Sequence, residues 1–206
     1  MAGKTNVVGK ANATSKNLSE FTMTVGVLAL QGCVDQHIEH LKQCAVNSRR
    51  VRTPDDLEGL DRIIIPGGES STMLLLLKRS GLWESLKTFV KQKPTWGVCA
   101  GAILLAQEVC NPTQDCLAAL PIRAYRNFYG SQLDSFSTKV EIKPLKKELL
   151  VDFIRAPKLE ALNSECEVLA SYKNLPILIK NNRTMVSSFH SELGSDSSLH
   201  KFFLGL

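Results

Sequence analysis

Val25-Gly-Val-Leu-Ala-Leu-Gln-Gly32 decides the fold. Residues 25–30 form a short, nearly continuous apolar run that stops at Gln31-Gly32, the pattern of a strand buried on both faces of a sheet. Behind it Val34, Ile38, Leu41 and Ala45 recur at spacings of four, three and four, with Asp35, Gln36, Glu39 and Lys42 between them. That spacing draws one apolar stripe down a helix. A buried strand feeding an amphipathic helix is half of a βαβ unit, and the chain repeats it. Residues 62–65 read as a second buried strand, Pro66-Gly67-Gly68 as a turn, and 70–79 and 82–92 as helices. A third strand is expected at 95–98, and a helix at 100–108. Beyond Asn111 the segments 136–142, 151–154, 167–172, 176–179 and 184–189 are rich in β-formers, which predicts further strands, some antiparallel, closed by a helix at about 196–203. No Gly/Ser/Pro-rich linker divides the chain and no internal repeat occurs. The expected fold is α/β: a single three-layer domain over 23–206 with a mostly parallel central sheet and antiparallel additions, preceded by a flexible tail over 1–22.

Composition narrows the function. A chain of 206 residues with 44% hydrophobic content affords a sizeable core. The net charge is +5, but Lys4, Lys10 and Lys16 against Glu20 place +2 of it in the tail, leaving +3 scattered over the body. That balance gives no electrostatic case for a nucleic-acid partner. The longest aliphatic run, Met73 to Leu77, is far below the roughly 20 residues of a membrane span, so no membrane partner is expected. The amino terminus lacks an apolar signal region, and Cys33, Cys44, Cys99, Cys110, Cys116 and Cys166 read as reduced thiols of a cytoplasmic protein. Neither C-x-x-C nor H-E-x-x-H occurs, so no metal site is expected. His37, His40 and His200 read as residues on polar helix faces.

Three short stretches carry chemistry. Gly97-Val-Cys99-Ala-Gly101 sits where a strand gives way to a helix, the thiol counterpart of the G-x-S-x-G nucleophile elbow. Small flanking residues permit the sharp turn, the helix amino terminus favours an anion at the sulfur, and the Ala100 N–H faces a developing oxyanion. The same residues also suit a plain βα turn with a buried cysteine. Pro66-Gly67-Gly68-Glu69-Ser70 ends another strand on the ligand-binding edge of an open α/β sheet, where Gly68 offers a second oxyanion donor or, more simply, the stretch starts a helix. Phe189-His190-Ser191-Glu192 lies after an apolar run near the carboxyl terminus. In extended backbone residues two apart share a side, so Glu192 is able to hold one nitrogen of His190 while the other addresses a thiol. The three roles are complementary, and each stretch closes a predicted strand.

With these residues in place, the chain resembles the class I, or triad, glutamine amidotransferases, and within them the glutaminase subunits of pyridoxal 5′-phosphate synthase. Val27-Leu-Ala-Leu-Gln-Gly32, Pro66-Gly-Gly-Glu-Ser70, Cys99-Ala-Gly101, Arg126-Asn127, Phe153-Ile-Arg-Ala-Pro157 and Ser188-Phe-His-Ser-Glu192 stand in the family's order. The resemblance implies hydrolysis of L-glutamine to L-glutamate and ammonia, without a cofactor, and delivery of the ammonia to a barrel-shaped synthase subunit. It implies Cys99 as nucleophile, His190 as general base and acid, and Glu192 as its orienter. It further implies a glutamine site of Gly67, Gly68, Glu69, Arg126, Ile154 and Arg155, with Gln31 and Gly32 at the partner interface. The chain departs from the family at Ser191, where proline is usual, at Ala102, where a larger aliphatic residue is usual, and at Ser131, where arginine is usual. These departures keep open a paralogue that binds the synthase without hydrolysing glutamine, and a further alternative is the glutaminase of another amidotransferase branch, with the same triad and a different acceptor.

Overall fold

A computed structural model describes residues 23–129 and 135–206; the expected tail over 1–22 and the departure at Ser131 lie outside the described residues. The central sheet has seven strands in the order β10-β11-β12-β4-β3-β1-β2. Five of them, β1 (Thr24–Leu28), β2 (Asn47–Val51), β3 (Arg62–Ile65), β4 (Thr95–Val98) and β12 (Thr184–Ser187), run parallel. β11 (Leu175–Lys180) and β10 (Glu167–Tyr172) extend this sheet in antiparallel fashion. Helices α1 (Val34–Gln43), α2 (Ser70–Arg79), α3 (Leu82–Gln92), α4 (Ala100–Leu105) and α5 (Ser198–Leu204) cover it.

The strand periodicity divides the core. Ile63 and Ile65 of β3 pack into one buried cluster with Met73 and Leu77 of α2, Leu82 and Leu86 of α3, and the residues of α4. Ile64, pointing the other way as period two requires, joins Val34 and Leu41 of α1, Trp96 of β4, and Leu199 and Phe203 of α5. The result is the expected three-layer arrangement. Two small sheets flank it: β5 (Ala106–Cys110), β6 (Leu120–Tyr129) and β9 (Ala156–Ala161) in one, β7 (Phe136–Ile142) and β8 (Lys147–Phe153) in the other.

Several expectations are corrected. The first strand ends at Leu28 rather than 30, so Ala29 and Leu30 belong to the loop that carries Gln31. The helix expected over 100–108 stops at Leu105, where Ala106 turns extended (φ −61°, ψ 154°) and β5 pairs in parallel with β6. Ala106, Gln107 and Glu108 have fair helix propensity, which the sheet partner overrides. β2, β6 and β9 were not expected at all. The segment 151–154 is the end of a longer strand, β8, and the closing helix begins at Ser198 rather than about 196.

Candidate active site

The site forms along the carboxyl edge of the parallel strands. In register, Ile65 pairs with Gly97 and Val98 with Ser187, so the segments leaving β3, β4 and β12 emerge side by side. Gly67, Cys99 and His190 are thereby brought together from positions far apart in sequence.

Cys99 occupies the left-handed side of backbone space (φ 49°, ψ −99°), the strain expected of a nucleophile elbow. Its N–H donates to the Ser187 carbonyl at 2.8 Å, tying the elbow to β12. The glycines on either side are required by close approach. A Cβ on Gly101 would lie 2.0 Å from the Ile65 carbonyl oxygen, and one on Gly97 would lie 2.5 Å from that of Gly101. The thiol donates to the Ile154 carbonyl at 3.9 Å and shares the lining of one cavity with His190, whose pKa it helps to raise.

His190 is fixed at both ends. Its backbone exchanges hydrogen bonds with Asp152 of β8 at 2.8 and 3.0 Å, and its Nδ1 meets Glu192 Oε1 at 2.6 Å. Both side chains are almost wholly buried. Burial disfavours the imidazolium, but hydrogen bonds with Cys33, Cys99 and Glu192, together with the Glu192 charge, outweigh it and raise the His190 pKa well above its ordinary value. Burial likewise opposes ionisation of Glu192, yet the hydrogen bond from His190 and the nearby His37 hold its carboxyl below the usual range.

The Gly67-Gly68 turn faces the imidazole. Gly67 approaches so closely that a Cβ there would sit 2.2 Å from His190 Cε1. Gln31 braces the turn, its Oε1 accepting from the Glu69 N–H at 3.1 Å, and the Cys33 N–H donates to the Gly67 carbonyl at 3.3 Å. Gly32 is extended on the positive side (φ 102°), with that carbonyl where its Cβ would be. Ala100 is the first residue of α4, so its N–H has no partner within the helix.

Beside the thiol lies a cavity of about 240 Å³ lined by Gln31, Cys33, Gly68, Glu69, Cys99, Arg126, Ile154, Arg155 and His190, among others. Its far wall is ionic. Glu69 Oε1 accepts from Arg126 at 2.8 Å, and Oε2 stands 3.9 Å from Arg155. Burial works against the Glu69 charge, but Ser71 and the two guanidinium groups lower its pKa overall. Of the residues expected at the site, Gly68, Glu69, Arg126, Ile154 and Arg155 line the cavity and Gly67 stands at its edge against His190. Cys33 was not expected. The thiol, imidazole and carboxylate donor atoms of Cys33, His190 and Glu192 lie within 4.8 Å of one another, the one such group found among the described residues. Its imidazole and carboxylate are already paired with each other.

His37, His40 and His200 correct the reading of polar surface histidines: all three are buried, at 0%, 3% and 0% exposure. All six cysteines are free, and no described helix is long and apolar enough to cross a membrane.

Comparison with known proteins agrees with this geometry. The model of the SNO glutamine amidotransferase family matches residues 27–205. The pyridoxal 5′-phosphate synthase subunit PdxT of Thermosipho africanus is 42% identical over 185 residues, covering 89% of this chain and 98% of that protein. PdxT of Deinococcus radiodurans is 43% identical over 190 residues, covering 89% and 97%. A crystal structure of a glutamine amidotransferase superposes with a TM-score of 0.82 at 40% identity, covering 88% of this chain and 97% of the other. The chain belongs to the SNO glutamine amidotransferase family.

Proposed function

We propose that this chain hydrolyses L-glutamine to L-glutamate and ammonia, and that it passes the ammonia to the barrel subunit of a pyridoxal 5′-phosphate synthase in the cytoplasm. The observation that carries the reading is the Cys99–His190–Glu192 chain of contacts opening onto a cavity whose far wall is Glu69 between Arg126 and Arg155. An α-amino acid presents an ammonium and a carboxylate at one end. Glu69 suits the first, and Arg126 and Arg155 suit the second. The side-chain carboxamide then reaches toward Cys99.

In the reaction the proton shared between Cys99 and His190 rests on the imidazole, as its raised pKa favours, and the sulfur attacks the carboxamide carbon. The oxygen becomes an anion held by the N–H groups of Gly68 and Ala100. Collapse of this intermediate breaks the C–N bond as His190 returns its proton to the nitrogen, so ammonia leaves and a glutamyl thioester remains. Water, deprotonated by His190, attacks the thioester carbon. Glutamate departs and the thiol recovers its proton. Glu192 steadies the imidazolium at each stage. Gln31 and Gly32 stand at the same edge and are assigned to the synthase interface, where docking would act on the turn they brace.

The test measures glutamate and ammonia with and without the synthase barrel subunit. Hydrolysis that rises on adding the barrel, and that Cys99→Ser abolishes while the fold and barrel binding persist, is the expected result. Near-parental activity of Cys99→Ser, or no hydrolysis under any condition, would refute it.

A further inference from the structure

Beyond Glu192, outside the cavity lining, lies a group of buried histidines that the reaction scheme does not use. His37 and His40 come from α1 and His200 from α5. His37 Nδ1 and His200 Nε2 are 2.9 Å apart, and His37 Nε2 faces Glu192 Oε1 at 3.9 Å. His37 Nε2, Glu192 Oε2 and His200 Nδ1 are buried with no hydrogen-bond partner in this state. A buried donor without an acceptor is costly, and so is a buried carboxylate oxygen without a donor. The carboxylate oxygen facing His37 Nε2 is Oε1, which His190 already holds, and a closing of about 1 Å from 3.9 Å would bring it within hydrogen-bond reach.

The charge on Glu192 selects the tautomers. If His37 donated from Nδ1 to His200, its Nε2 lone pair would point at a carboxylate. With the proton instead on Nε2, His37 offers Glu192 a donor at Oε1 and accepts at Nδ1 from the His200 Nε2–H, leaving the His200 Nδ1 lone pair and Glu192 Oε2 unpartnered. Burial keeps both rings uncharged: together with neighbouring histidines it pushes His37 down to about 4, against the pull of Glu192, and His200 down to about 2. His40 secures the backbone of the same segment, its Nε2 lying 3.2 and 3.1 Å from the carbonyl oxygens of Glu192 and Gly194, and its ring stacks on His200 at 4.4 Å. Trp96 closes the group edge-on to His37 at 5.5 Å.

We propose that His37, in the Nε2–H tautomer that Glu192 selects and His200 complements, is a positioning residue that donates to the Glu192 carboxylate and so holds the orienter of His190 in place. The contact is loose in the free chain, at 3.9 Å, and closes when substrate and the synthase order the site, as hydrogen bonds of free active sites commonly tighten in the reacting complex. This rests on the functional reading above. The groups facing the Glu192 carboxylate are His190, His37 and Cys33, while His40 faces its backbone carbonyl.

The experiment compares the full-length parent, His37→Leu and His37→Gln, assayed with the synthase barrel and by NMR with labelled histidine. Nitrogen-15 shifts of the parent are expected to show His37 protonated at Nε2; the opposite tautomer overturns the proposal. For His37→Leu, which has no donor, kcat is expected to fall by about 10- to 100-fold with KM for glutamine nearly unchanged, the range for loss of a supporting partner. The acid limb of its pH–rate profile should move to higher pH, because an undonated carboxylate takes a proton more readily. The glutamine side chain places an N–H near the Nε2 position, so His37→Gln should restore most of kcat and the parental acid limb. The downfield proton of the His190–Glu192 hydrogen bond should persist in parent and His37→Gln and shift or broaden in His37→Leu. A parental kcat and proton signal in His37→Leu overturns the proposal, as does equal loss in both variants. If the parent hydrolyses no glutamine, the functional reading fails, while the tautomer and proton signals, which need no turnover, still decide the role of His37. Should His37→Leu not fold, loss of the proton signal in a folded His37→Gln overturns it.

Discussion

Gly67→Ala tests how tightly the Gly-Gly turn is fitted to His190. The added Cβ would lie 2.2 Å from Cε1 of the imidazole, where ordinary contact begins at 3.4 Å, so relief requires a displacement of about 1.2 Å (3.4 − 2.2). The ring has little room to give. Its Nδ1 is bound to Glu192 at 2.6 Å, and its backbone is paired with Asp152 at 2.8 and 3.0 Å. The turn has little more, since its carbonyl is fixed by the Cys33 N–H and packed under Gly32. Misplacement by about 1 Å at a reacting group costs about a hundredfold in rate. A fall in kcat of that size is therefore expected in glutamate-release assays, with KM for glutamine nearly unchanged and a melting temperature lowered by a few degrees. Gly68→Ala is the control. Its Cβ would meet first the amide end of Gln31, at 2.8 Å, a side chain that can move at the cost of its single hydrogen bond with the Glu69 N–H, and a smaller loss should result. Parental kcat in Gly67→Ala, or equal losses in the two variants, would show that the turn does not confine the imidazole.

Glu192→Gln should retain more activity than His190→Ala, because the glutamate orients an imidazole that itself moves the protons; losing an orienter still costs orders of magnitude. The reverse order in steady-state rates would remove Glu192 from its assigned role. Ser191→Pro should give equal or modestly higher turnover, since the Ser191 Oγ is buried without a partner and proline narrows the backbone of His190. A marked loss would make Ser191 an adapted residue. Stability should fall as pH drops from about 6.5 toward 4. In that window the unfolded chain protonates its histidines while native His37, pushed down to about 4, stays neutral, so the unfolded state binds more protons. Each unit of that difference is worth about 1.4 kcal/mol for one group, and thermal melts of His37→Gln should show a correspondingly shallower acid slope.

The parallel core was legible because its strands are buried on both faces and announce themselves as apolar runs: residues 25–28, 62–65 and 95–98 all fall in strands. β2 was hidden for the opposite reason. Asn47-Ser-Arg-Arg-Val51 lies at the sheet edge with only Val51 buried, so neither an apolar run nor an alternation marks it. β6 did carry a signal: Leu120, Ile122 and Ala124 alternate and are buried. Pro121, Arg123 and Arg126 masked it, because the run is short and its neighbours are charged. β9 begins with Ala156-Pro157 and is identified only by its pairing with β6.

The site divides along the same line. Cys99, the Gly-Gly turn and His190-Ser-Glu192 were readable because each closes a strand, and a parallel sheet gathers its strand ends on one edge whatever the loops do. Cys33 and His37 close no strand, and what they touch is set by tertiary packing. The spacing did speak for His37: it stands three residues after Val34 and four before Leu41, squarely within the apolar stripe of α1. Its residue type argued for the polar face, and position should have outweighed type. A histidine at a core position needs a buried partner, because its ring nitrogens cannot be left to the lipid-like side chains around them. That partner was knowable only in kind from sequence, as a carboxylate or a second imidazole. The fold supplies both, Glu192 on one side and His200 on the other. Since neither Val34 nor Leu41 needs such company, a histidine held between them points to the orienting carboxylate as the reason for its place.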